Sequence, residues 1–363
     1  MFCKKEEYRV LGLMSGTSLD GLDLAYCHFH KVSPGRWDYR ILKAETLPWE
    51  EAWKKKIQAA FHYSGPELIE FHFSLGHEFG KRASHFLKKH NLAPDFIASH
   101  GQTIYHQPDS GYTFQAGSGA AIAAQTGLPV ICDFRSGDVA LGGQGAPLVP
   151  AGDRLLFGDY GACINLGGFA NLSFDNEKGQ RIAYDICPAN LGLNYFSALA
   201  GIPYDKDGML ASQGKVDPFL LDELLALAYF HMPPPKSLGR EWLEHEFIPI
   251  LQEKSLSPHD GLRTLNQFLA ILIKQEISKI PHMGKGILLT GGGTHNAFLI
   301  HLLREEMGLP IVVPDAQLID FKEALIFAFL GVLYVEETPN CLNEVTGARY
   351  NNIGGCLYQG RLF

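Results

Sequence analysis

The sequence predicts an α/β protein built from two similar lobes. Two successive stretches each open with an apolar hairpin that turns through glycines, and each continues into alternating helices and strands. The composition agrees, because 39 glycines among 363 residues allow many tight turns while 46% of the residues are hydrophobic. A chain of this length exceeds what one core usually spans, so we expect two domains with a ligand cleft between them.

The first unit covers about 130 residues and is predicted as β-β-β-α-β-α-β. Residues 9–41 alternate apolar runs with turns, which is typical of a β-meander. Apolar positions at helical spacing predict a helix over residues 66–91. The strand DFIAS follows, then a small-residue helix that ends at Gly127, then the strand PVICDF.

The second unit repeats this order. Its predicted elements are the hairpin 161–174, the strand 181–185, helices over 218–230 and 262–280, the strand 286–290, a helix over 296–307, the strand 310–314 and a buried helix over 320–335. We place lobe I at residues 1–130, joined by 340–363, and lobe II at residues 131–339.

Charge and composition exclude several classes of function. The net charge of −8 argues against nucleic acid as a partner. Charges interrupt the first ten residues, which predicts no secretory signal and a cytoplasmic protein. The longest apolar run, 324–335, is too short to cross a membrane. Seven scattered cysteines without a CxxC pair predict reduced thiols rather than disulfides or a zinc site.

The turn of the first hairpin has the chemistry of a phosphate loop. Glycines bring backbone N–H groups close to an oxyanion, hydroxyls add donors, and a carboxylate suits magnesium. The residues are Ser15, Gly16, Thr17, Ser18, Asp20 and Gly21, with Asp20 or the nearby Asp23 as the magnesium ligand. The alternative is an ordinary hairpin loop with Asx and Ser/Thr turns.

Two further glycine-rich segments favour a nucleotide site. Asn165, Gly167 and Gly168 occupy in the second hairpin the place that the phosphate loop has in the first. Gly291, Gly292 and Gly293 join a buried strand to a helix N-terminus, where backbone can lie against a nucleotide. The sequence contains no GxxxxGK[ST], GxGxxG, GxSxG or HExxH motif, so a nucleotide site of another type remains.

Several long strings resemble the anhydro-N-acetylmuramic acid kinase family. They are GLMSGTSLDGLDLAY, SHGQTIYHQP, TGLPVICDFRSGDVALGGQGAPLVP, NLGGFANLSF, YDKDG, TGGGTHN, FKEALIFAFLG and VTGA, spread over residues 10–348. The resemblance implies two ribonuclease-H-like lobes of the actin and hexokinase type around a nucleotide cleft. It also implies an ATP- and magnesium-dependent enzyme that opens 1,6-anhydro-N-acetylmuramic acid with water and phosphorylates it to N-acetylmuramic acid 6-phosphate during cell-wall recycling.

The resemblance also assigns site residues. The two hairpin turns match the family's phosphate loops, with Asp20 near magnesium, and residues 291–293 match its adenosine loop. The residues that map to the sugar side are Gln102, Arg135, Asp138, Asp185 and Glu323. Arg135 suits bidentate pairing with the lactyl carboxylate, whereas the amide and carboxyl groups suit sugar hydroxyls. The family often forms homodimers.

Asp185 is the candidate catalytic base. We expect it to end a strand and to take a proton from the water that attacks the anomeric carbon, while the six-position oxygen departs toward the γ-phosphate. The transferred phosphoryl group then replaces the acid that a glycosidase needs. The alternative role for Asp185 is to cap a turn at the strand end.

The sequence departs from the family pattern near the sugar side. Residues 186–190 read ICPAN where the family commonly has TGPGN, residues 115–119 read QAGSG where it has QIGDP, and Gly137 replaces a frequent arginine. These changes leave open a kinase for another anhydro- or amino sugar. A nucleotide-switched, actin-like binding protein is the hypothesis from another class.

Overall fold

The computed structural model describes residues 4–16, 19–308 and 310–360. The strands in chain order are β1 (Glu7–Ser15), β2 (Gly21–Ser33), β3 (Arg36–Pro48), β4 (Phe96–Gln107), β5 (Tyr112–Ala116), β6 (Val130–Cys132), β7 (Ala162–Leu166), β8 (Phe169–Asp175), β9 (Arg181–Pro188), β10 (Ile287–Thr290), β11 (Ile311–Val312) and β12 (Cys356–Tyr358). The α-helices are α1 (Glu51–Ala59), α2 (Gly65–His90), α3 (Gly119–Thr126), α4 (Ser136–Ala140), α5 (Val149–Leu156), α6 (Asn190–Leu199), α7 (Met209–Gln213), α8 (Pro218–Leu225), α9 (Arg240–Trp242), α10 (Ile248–Glu253), α11 (Pro258–Ile277), α12 (Ala297–Met307), α13 (Ala316–Val335) and α14 (Asn343–Thr346).

Internal contacts divide the chain into two compact units. Unit 1 comprises residues 1–156 and 321–363, and unit 2 comprises residues 157–320. The segment after residue 130 joins unit 1 because β6 pairs with β4 and α5 packs on β3. The contact units therefore divide near residues 156 and 320, whereas we expected lobe boundaries near residues 130 and 340. The division into two functional lobes stays a prediction.

The sheet of unit 1 has the order β12-β6-β4-β1-β2-β3, with β5 paired to the far end of β4. The strands β1, β2 and β3 form an antiparallel meander. Strand β4 runs parallel to β1, and β6 runs parallel to β4. The first hairpin turn consequently lies beside the C-terminal part of β4, at the end of the sheet where β1 finishes.

The sheet of unit 2 repeats this arrangement in the order β11-β10-β7-β8-β9. Its first three strands are an antiparallel meander, and β10 and β11 continue the sheet parallel to β7. In the ribonuclease-H-like order, three antiparallel strands come first, and two later strands extend the sheet beside the first strand and parallel to it. Both units have it, which confirms the predicted duplicated α/β fold.

Helix α13 forms part of the core of unit 1. Nearly every side chain from Ala324 to Val335 is buried, as the long apolar run predicts. The helix lies close to the sheet because a glycine stands on each side of the contact. A Cβ on Gly12 of β1 would be 2.1 Å from the Ala324 carbonyl oxygen, and a Cβ on Gly331 of the helix would be 2.8 Å from Phe96 of β4. Among the described residues, no helix is both long and apolar enough to span a bilayer.

Helices α2, α3 and α12 confirm their predictions, and α3 ends at Gly127 in the left-handed conformation (φ 74°). Several shorter elements were not predicted from the sequence, namely α1, α4, α5, α6, α7, α9, α10, α14, β5 and β12. Helix α1 buries only Ile57, so its apolar periodicity is weak. The expectation that Asp185 ends a strand is wrong, because β9 continues to Pro188 through pairing with Phe169 in β8.

Candidate active site

The turn between β1 and β2 carries the predicted first phosphate loop. Ser15 ends β1 and Gly21 begins β2, while Gly16 and Asp20 lie between them. A Cβ on Gly21 would be 2.7 Å from the Leu47 carbonyl oxygen, so pairing with β3 requires glycine there. Asp20 is exposed. Thr17 and Ser18, also assigned to this loop, lie outside the described residues.

A buried hydrogen bond connects this loop to the predicted sugar side. The Ser15 hydroxyl donates to the Gln102 amide oxygen at 2.6 Å, and both side chains are almost fully buried. The bond follows from strand register, because Ser15 and Gln102 are partners in the parallel β1–β4 pair. The structure thus brings together two residues that are 87 positions apart in sequence.

His100 orients Arg135, which lies at the start of α4. The imidazole Nδ1 donates to the Gly101 carbonyl at 2.9 Å, which leaves Nε2 to accept from Arg135 Nε at 3.1 Å. Arg135 also donates to the Gly145 carbonyl at 2.7 Å. Burial, and then the charge of Arg135, lowers the pKa of His100 to about 3. The imidazole is therefore neutral and serves as an acceptor for the guanidinium.

Glu323, on α13, belongs to the same electrostatic environment. Its pKa is raised by loss of hydration, which exceeds the opposing effect of Arg135. The side chain nevertheless keeps contact with solvent. No hydrogen bond from another described residue reaches the Glu323 carboxyl group, so its oxygens are free to contact a ligand.

Asp138 has a different environment from the other sugar-side residues. It is fully buried, and its Oδ1 accepts from Thr346 Oγ1 at 2.9 Å and from Asn352 Nδ2 at 2.8 Å. Its Oδ2 accepts from the Gly145 backbone at 2.8 Å. This geometry favours a structural role that fixes the loop after α4, and the predicted sugar contact of Asp138 stays a prediction.

In unit 2, the second hairpin turn packs against the triglycine segment. Strand pairing places Thr290 beside Asn165, so Gly291 follows immediately next to the turn. A Cβ on Gly291 would be 2.6 Å from Asn165 Oδ1, and one on Gly293 would be 2.8 Å from Leu166. Gly291 also has a φ of 85°, which favours glycine.

The start of α6 completes this cluster. The backbone N–H of Asn190 donates to the Gly167 carbonyl at 3.1 Å, and that of Ala189 donates to the Gly168 carbonyl at 2.9 Å. The Asn190 side chain donates to the Leu166 carbonyl at 3.2 Å. The residues assigned to the second phosphate loop and to the adenosine loop therefore share one site, and Asn190 is a further member of it.

A pocket of about 490 Å³ opens beside this cluster, within unit 2. Its volume is in the range of small-molecule sites. The lining residues are Asn190, Leu193, Asn194, Tyr204, Asp205, Lys206, Asp207, Gly292, Gly293, His295 and Asn296. Residues 204–207 were not predicted as part of this pocket, although they lie in the string YDKDG, which carries part of the resemblance to the family.

Asp185 is held through one oxygen of its carboxylate. Oδ2 accepts from the Leu238 backbone N–H at 2.9 Å and from the Ser237 hydroxyl at 3.2 Å. No described residue donates a hydrogen bond to Oδ1. Burial raises the pKa of Asp185, and the two hydrogen bonds oppose that rise. A carboxylate with an elevated pKa, one fixed oxygen and one free oxygen suits a general base.

The segment that donates to Asp185 is anchored by a buried lysine. Lys236 Nζ lies 3.4 Å from Glu276 Oε1 and over the rings of Tyr184 and Tyr229, at 5.5 and 5.0 Å from their centroids. Tyr229 in turn donates through its hydroxyl to the Asp185 carbonyl at 2.8 Å. The Lys236 side chain thereby positions the next two residues beside the carboxylate.

The first departure from the family pattern lies in the core. Ile186, Cys187 and Ala189 are all nearly inaccessible to solvent and belong to the hydrophobic core of unit 2. These side chains stand where the family commonly has threonine and glycine, and here they pack against other apolar residues of unit 2.

The chain was compared with solved structures, with curated proteins and with family models. Among solved structures, component A of (R)-2-hydroxyglutaryl-CoA dehydratase from Acidaminococcus fermentans is similar with a TM-score of 0.46 and 12% identity, over 91% of this chain and 99% of that chain. The protein from Synechococcus elongatus named "Anhydro-N-acetylmuramic acid kinase" is 37% identical over 94% of this chain and 96% of its own length. The protein of the same name from Hydrogenovibrio crunogenus is 33% identical over 96% and 97%. The family model described as "Anhydro-N-acetylmuramic acid kinase" matches residues 8–360.

Proposed function

Because the chain belongs to the anhydro-N-acetylmuramic acid kinase family, we propose that it opens 1,6-anhydro-N-acetylmuramic acid with water and phosphorylates the product from ATP. It is a kinase, and its acceptor is a small sugar. The proposed product is N-acetylmuramic acid 6-phosphate, formed in peptidoglycan recycling. The observation that carries the proposal is the Asp185 carboxylate, which has one oxygen held by Leu238 and Ser237 and one oxygen free.

In the proposed reaction, Asp185 Oδ1 takes a proton from water while the water oxygen bonds to the anomeric carbon. The bond between that carbon and the six-position oxygen breaks, and its electron pair stays on the oxygen. The oxygen attacks the γ-phosphorus, the bond from the γ-phosphorus to the β,γ-bridging oxygen breaks, and ADP leaves. Asp185 then releases its proton to solvent. One base therefore couples ring opening to phosphoryl transfer.

The pocket of unit 2 supports a nucleotide site. Gly292 is exposed at its wall, Gly293 lines it without a side chain, and Asn190 offers an amide from the start of α6. We propose that adenosine occupies this pocket and that Asn165, Gly167 and Gly168 contact phosphate. Burial of the flat base against backbone without Cβ atoms gives such a site its affinity.

We propose that the first hairpin turn holds the other end of the triphosphate. Ser15, Gly16 and Gly21 belong to this turn, together with Thr17 and Ser18. Asp20 is an exposed carboxylate there, and oxygen ligands of this type suit Mg²⁺. When bound, magnesium neutralises charge on the phosphates. Among the described residues no cluster of three or more His, Cys, Asp or Glu forms a metal site, so the phosphates and water would supply the remaining ligands.

For the sugar, we propose Gln102, Arg135 and Glu323 as ligands. Arg135 carries a positive charge for the lactyl carboxylate, and His100 holds its guanidinium in place. Glu323 has free oxygens for sugar hydroxyls, and Gln102 links this side to the phosphate loop through Ser15. The homodimer and the cytoplasmic location stay predictions, to be checked by light scattering and by cell fractionation.

The test is incubation with ATP, Mg²⁺ and 1,6-anhydro-N-acetylmuramic acid in oxygen-18 water, followed by mass spectrometry. We expect a sugar 6-phosphate with one heavy oxygen at the anomeric position. Asp185→Asn is expected to lower kcat by about 10³-fold, the range of a lost general base, with ATP affinity within a few-fold. Asp222→Asn, an exposed carboxylate on α8, is the matched control. Turnover near the wild-type rate in Asp185→Asn would remove the base from the proposal.

A further inference from the structure

Unit 1 contains a cavity to which the proposed function assigns no ligand. Its volume is about 220 Å³, room for about seven waters at roughly 30 Å³ each. Helix α2, strands β4 and β5, the segment after β6 and strand β12 all contribute to its wall. Five separate pieces of the chain therefore converge on one small space.

Three residues that line this cavity each have a buried polar atom without a hydrogen-bond partner in the described part of the chain. His72 Nδ1, Ser99 Oγ and Gln115 Oε1 are buried atoms of lining residues, and no hydrogen bond reaches them from the part of the chain that the structure describes. Ser99 is completely buried, at 0% exposure. Buried polar groups are normally satisfied, so three such atoms around one cavity indicate a molecule that bonds to them.

The orientation of Gln115 defines part of that molecule. Its Nε2 donates to Thr113 Oγ1 at 2.8 Å, which fixes Oε1 as the unpaired end. Oε1 only accepts, so the ligand needs an N–H or O–H donor there. The Ser99 hydroxyl both donates and accepts, and it can bond to a carbonyl oxygen.

The charge of the lining excludes anions. Asp133 is at the wall, where Ser136 donates to its Oδ1 at 2.5 Å. No lysine or arginine lines the cavity among the residues described. Burial lowers the pKa of His72, so its imidazole is neutral at pH 7. Phe114 and Tyr358 add apolar surface for a methyl or methylene group.

We propose that this cavity binds a small neutral secondary amide, with its N–H on Gln115 and its carbonyl on Ser99. Such an amide has two sources: the acetamido group of the sugar that is phosphorylated, or a separate amide-bearing molecule. The binding is measured without turnover, so it stands or falls independently of the kinase reaction.

The test titrates N-methylacetamide into the ¹⁵N-labelled full-length chain. We expect saturable shifts of the backbone amides of Gly101, Gly117 and Gly119, which line the cavity. Acetate, which carries a charge of the same sign as Asp133, is expected to leave them unmoved. Unmoved glycine amides in saturating N-methylacetamide would overturn the proposal.

Ser99→Ala separates binding from folding. It removes an unpartnered hydroxyl, so the unfolding midpoint should stay the same or rise, whereas the Kd for N-methylacetamide should increase about five-fold, as for one lost hydrogen bond. Gln115→Leu should weaken binding as well. The matched controls Ser84→Ala and Gln125→Leu change the same residue types outside the cavity and should keep the wild-type Kd. A wild-type Kd in Ser99→Ala would contradict the proposal.

A competition experiment then distinguishes the two sources. If N-methylacetamide raises the KM for the anhydro sugar at unchanged kcat, the cavity holds the acetamido group of the substrate. If saturating amide leaves that KM unchanged while the glycine shifts persist, the cavity serves a separate molecule.

Discussion

Single side chains control the protonation of Asp185, and Ser237 allows the cleanest test. Its hydroxyl donates to the carboxylate and thereby favours the charged form, against the burial that raises the pKa. Ser237→Ala should raise that pKa further, because the charged form of the carboxylate loses a hydrogen bond. Because the proposed base must be deprotonated to act, the acidic limb of the kcat–pH profile should move to higher pH. Ser212→Ala, an exposed serine of the same unit, should leave the profile unchanged, and an unmoved limb in Ser237→Ala would contradict this role.

His100 makes stability depend on pH in a defined window. Its pKa is about 3 in the folded protein against an ordinary value of 6.5, so the unfolded chain binds more protons between these values. The contribution is complete above pH 6.5 and is lost as the pH falls, by about 1.4 kcal/mol per pH unit for one group. Urea unfolding at pH 7, 5.5 and 4.5 should show this slope in the wild type.

His100→Gln should reduce the slope, since glutamine keeps an acceptor for Arg135 without titrating. His77→Gln, on the exposed face of α2, should keep it. Equal slopes in wild type and His100→Gln would show that other groups account for acid unfolding.

At the scale of elements, the segment before α9 acts on Asp185 through its anchor. Lys236→Met keeps the apolar stem but removes the ammonium that lies near Glu276 and two tyrosine rings. We expect kcat to fall by about 10- to 100-fold, because a displacement near 1 Å at a catalytic group has that effect. The KM for ATP should stay within two-fold, and the acidic limb should move upward as in Ser237→Ala. Lys178→Met, in an exposed turn, is the control. A substitution that only reduced the folded fraction would lower activity without moving the acidic limb of the kcat–pH profile.

The docking of α13 depends on the absence of a side chain at Gly12. Gly12→Ala places a methyl group 2.1 Å from the Ala324 carbonyl oxygen, so the helix must shift. Overpacking of this kind costs about 1–3 kcal/mol, which urea unfolding measures directly. Gly137→Ala, where a Cβ meets nothing within 4 Å, should be neutral or slightly stabilising. Similar unfolding midpoints for the two variants would contradict the close packing.

Some elements were predictable and others were not, for physical reasons. Helices α2 and α13 have long apolar patterns, and the hairpins have glycine turns, so local sequence suffices for them. Strand β5 has only five residues, and its buried positions do not alternate along the strand, so the local sequence gives a weak signal for the hairpin that it forms with β4. At the site, glycines and Asp185 stood out as residue types, whereas the Lys236 anchor and the Ser15–Gln102 bond depend on tertiary contacts that no local pattern encodes.

At the scale of the whole molecule, the repeated sheet order agrees with the repeated hairpins in the sequence. The limits of the contact units were harder to predict, because α13 follows the second repeat in sequence but packs in the core of unit 1 from residue 321 onward. Sequence order indicates which elements exist, and burial decides where each one packs. Unit 2 is consequently one continuous stretch of chain, and its pocket is formed entirely by that stretch.

This organisation predicts where adenosine acts. Since every residue that lines the 490 Å³ pocket belongs to unit 2, adenosine without phosphates should slow hydrogen exchange in 190–207 and 291–296 while unit 1 exchanges at its free rate. At 100 times its Kd, a ligand stabilises the state that it binds by about 2.7 kcal/mol, enough to lengthen exchange times roughly 100-fold where exchange needs the bound site to open. Hydrogen-exchange mass spectrometry with and without adenosine measures this, with ribose as the control. Protection confined to unit 1 would move the nucleotide site away from the triglycine segment, and with it the role assigned to Gly292 and Gly293.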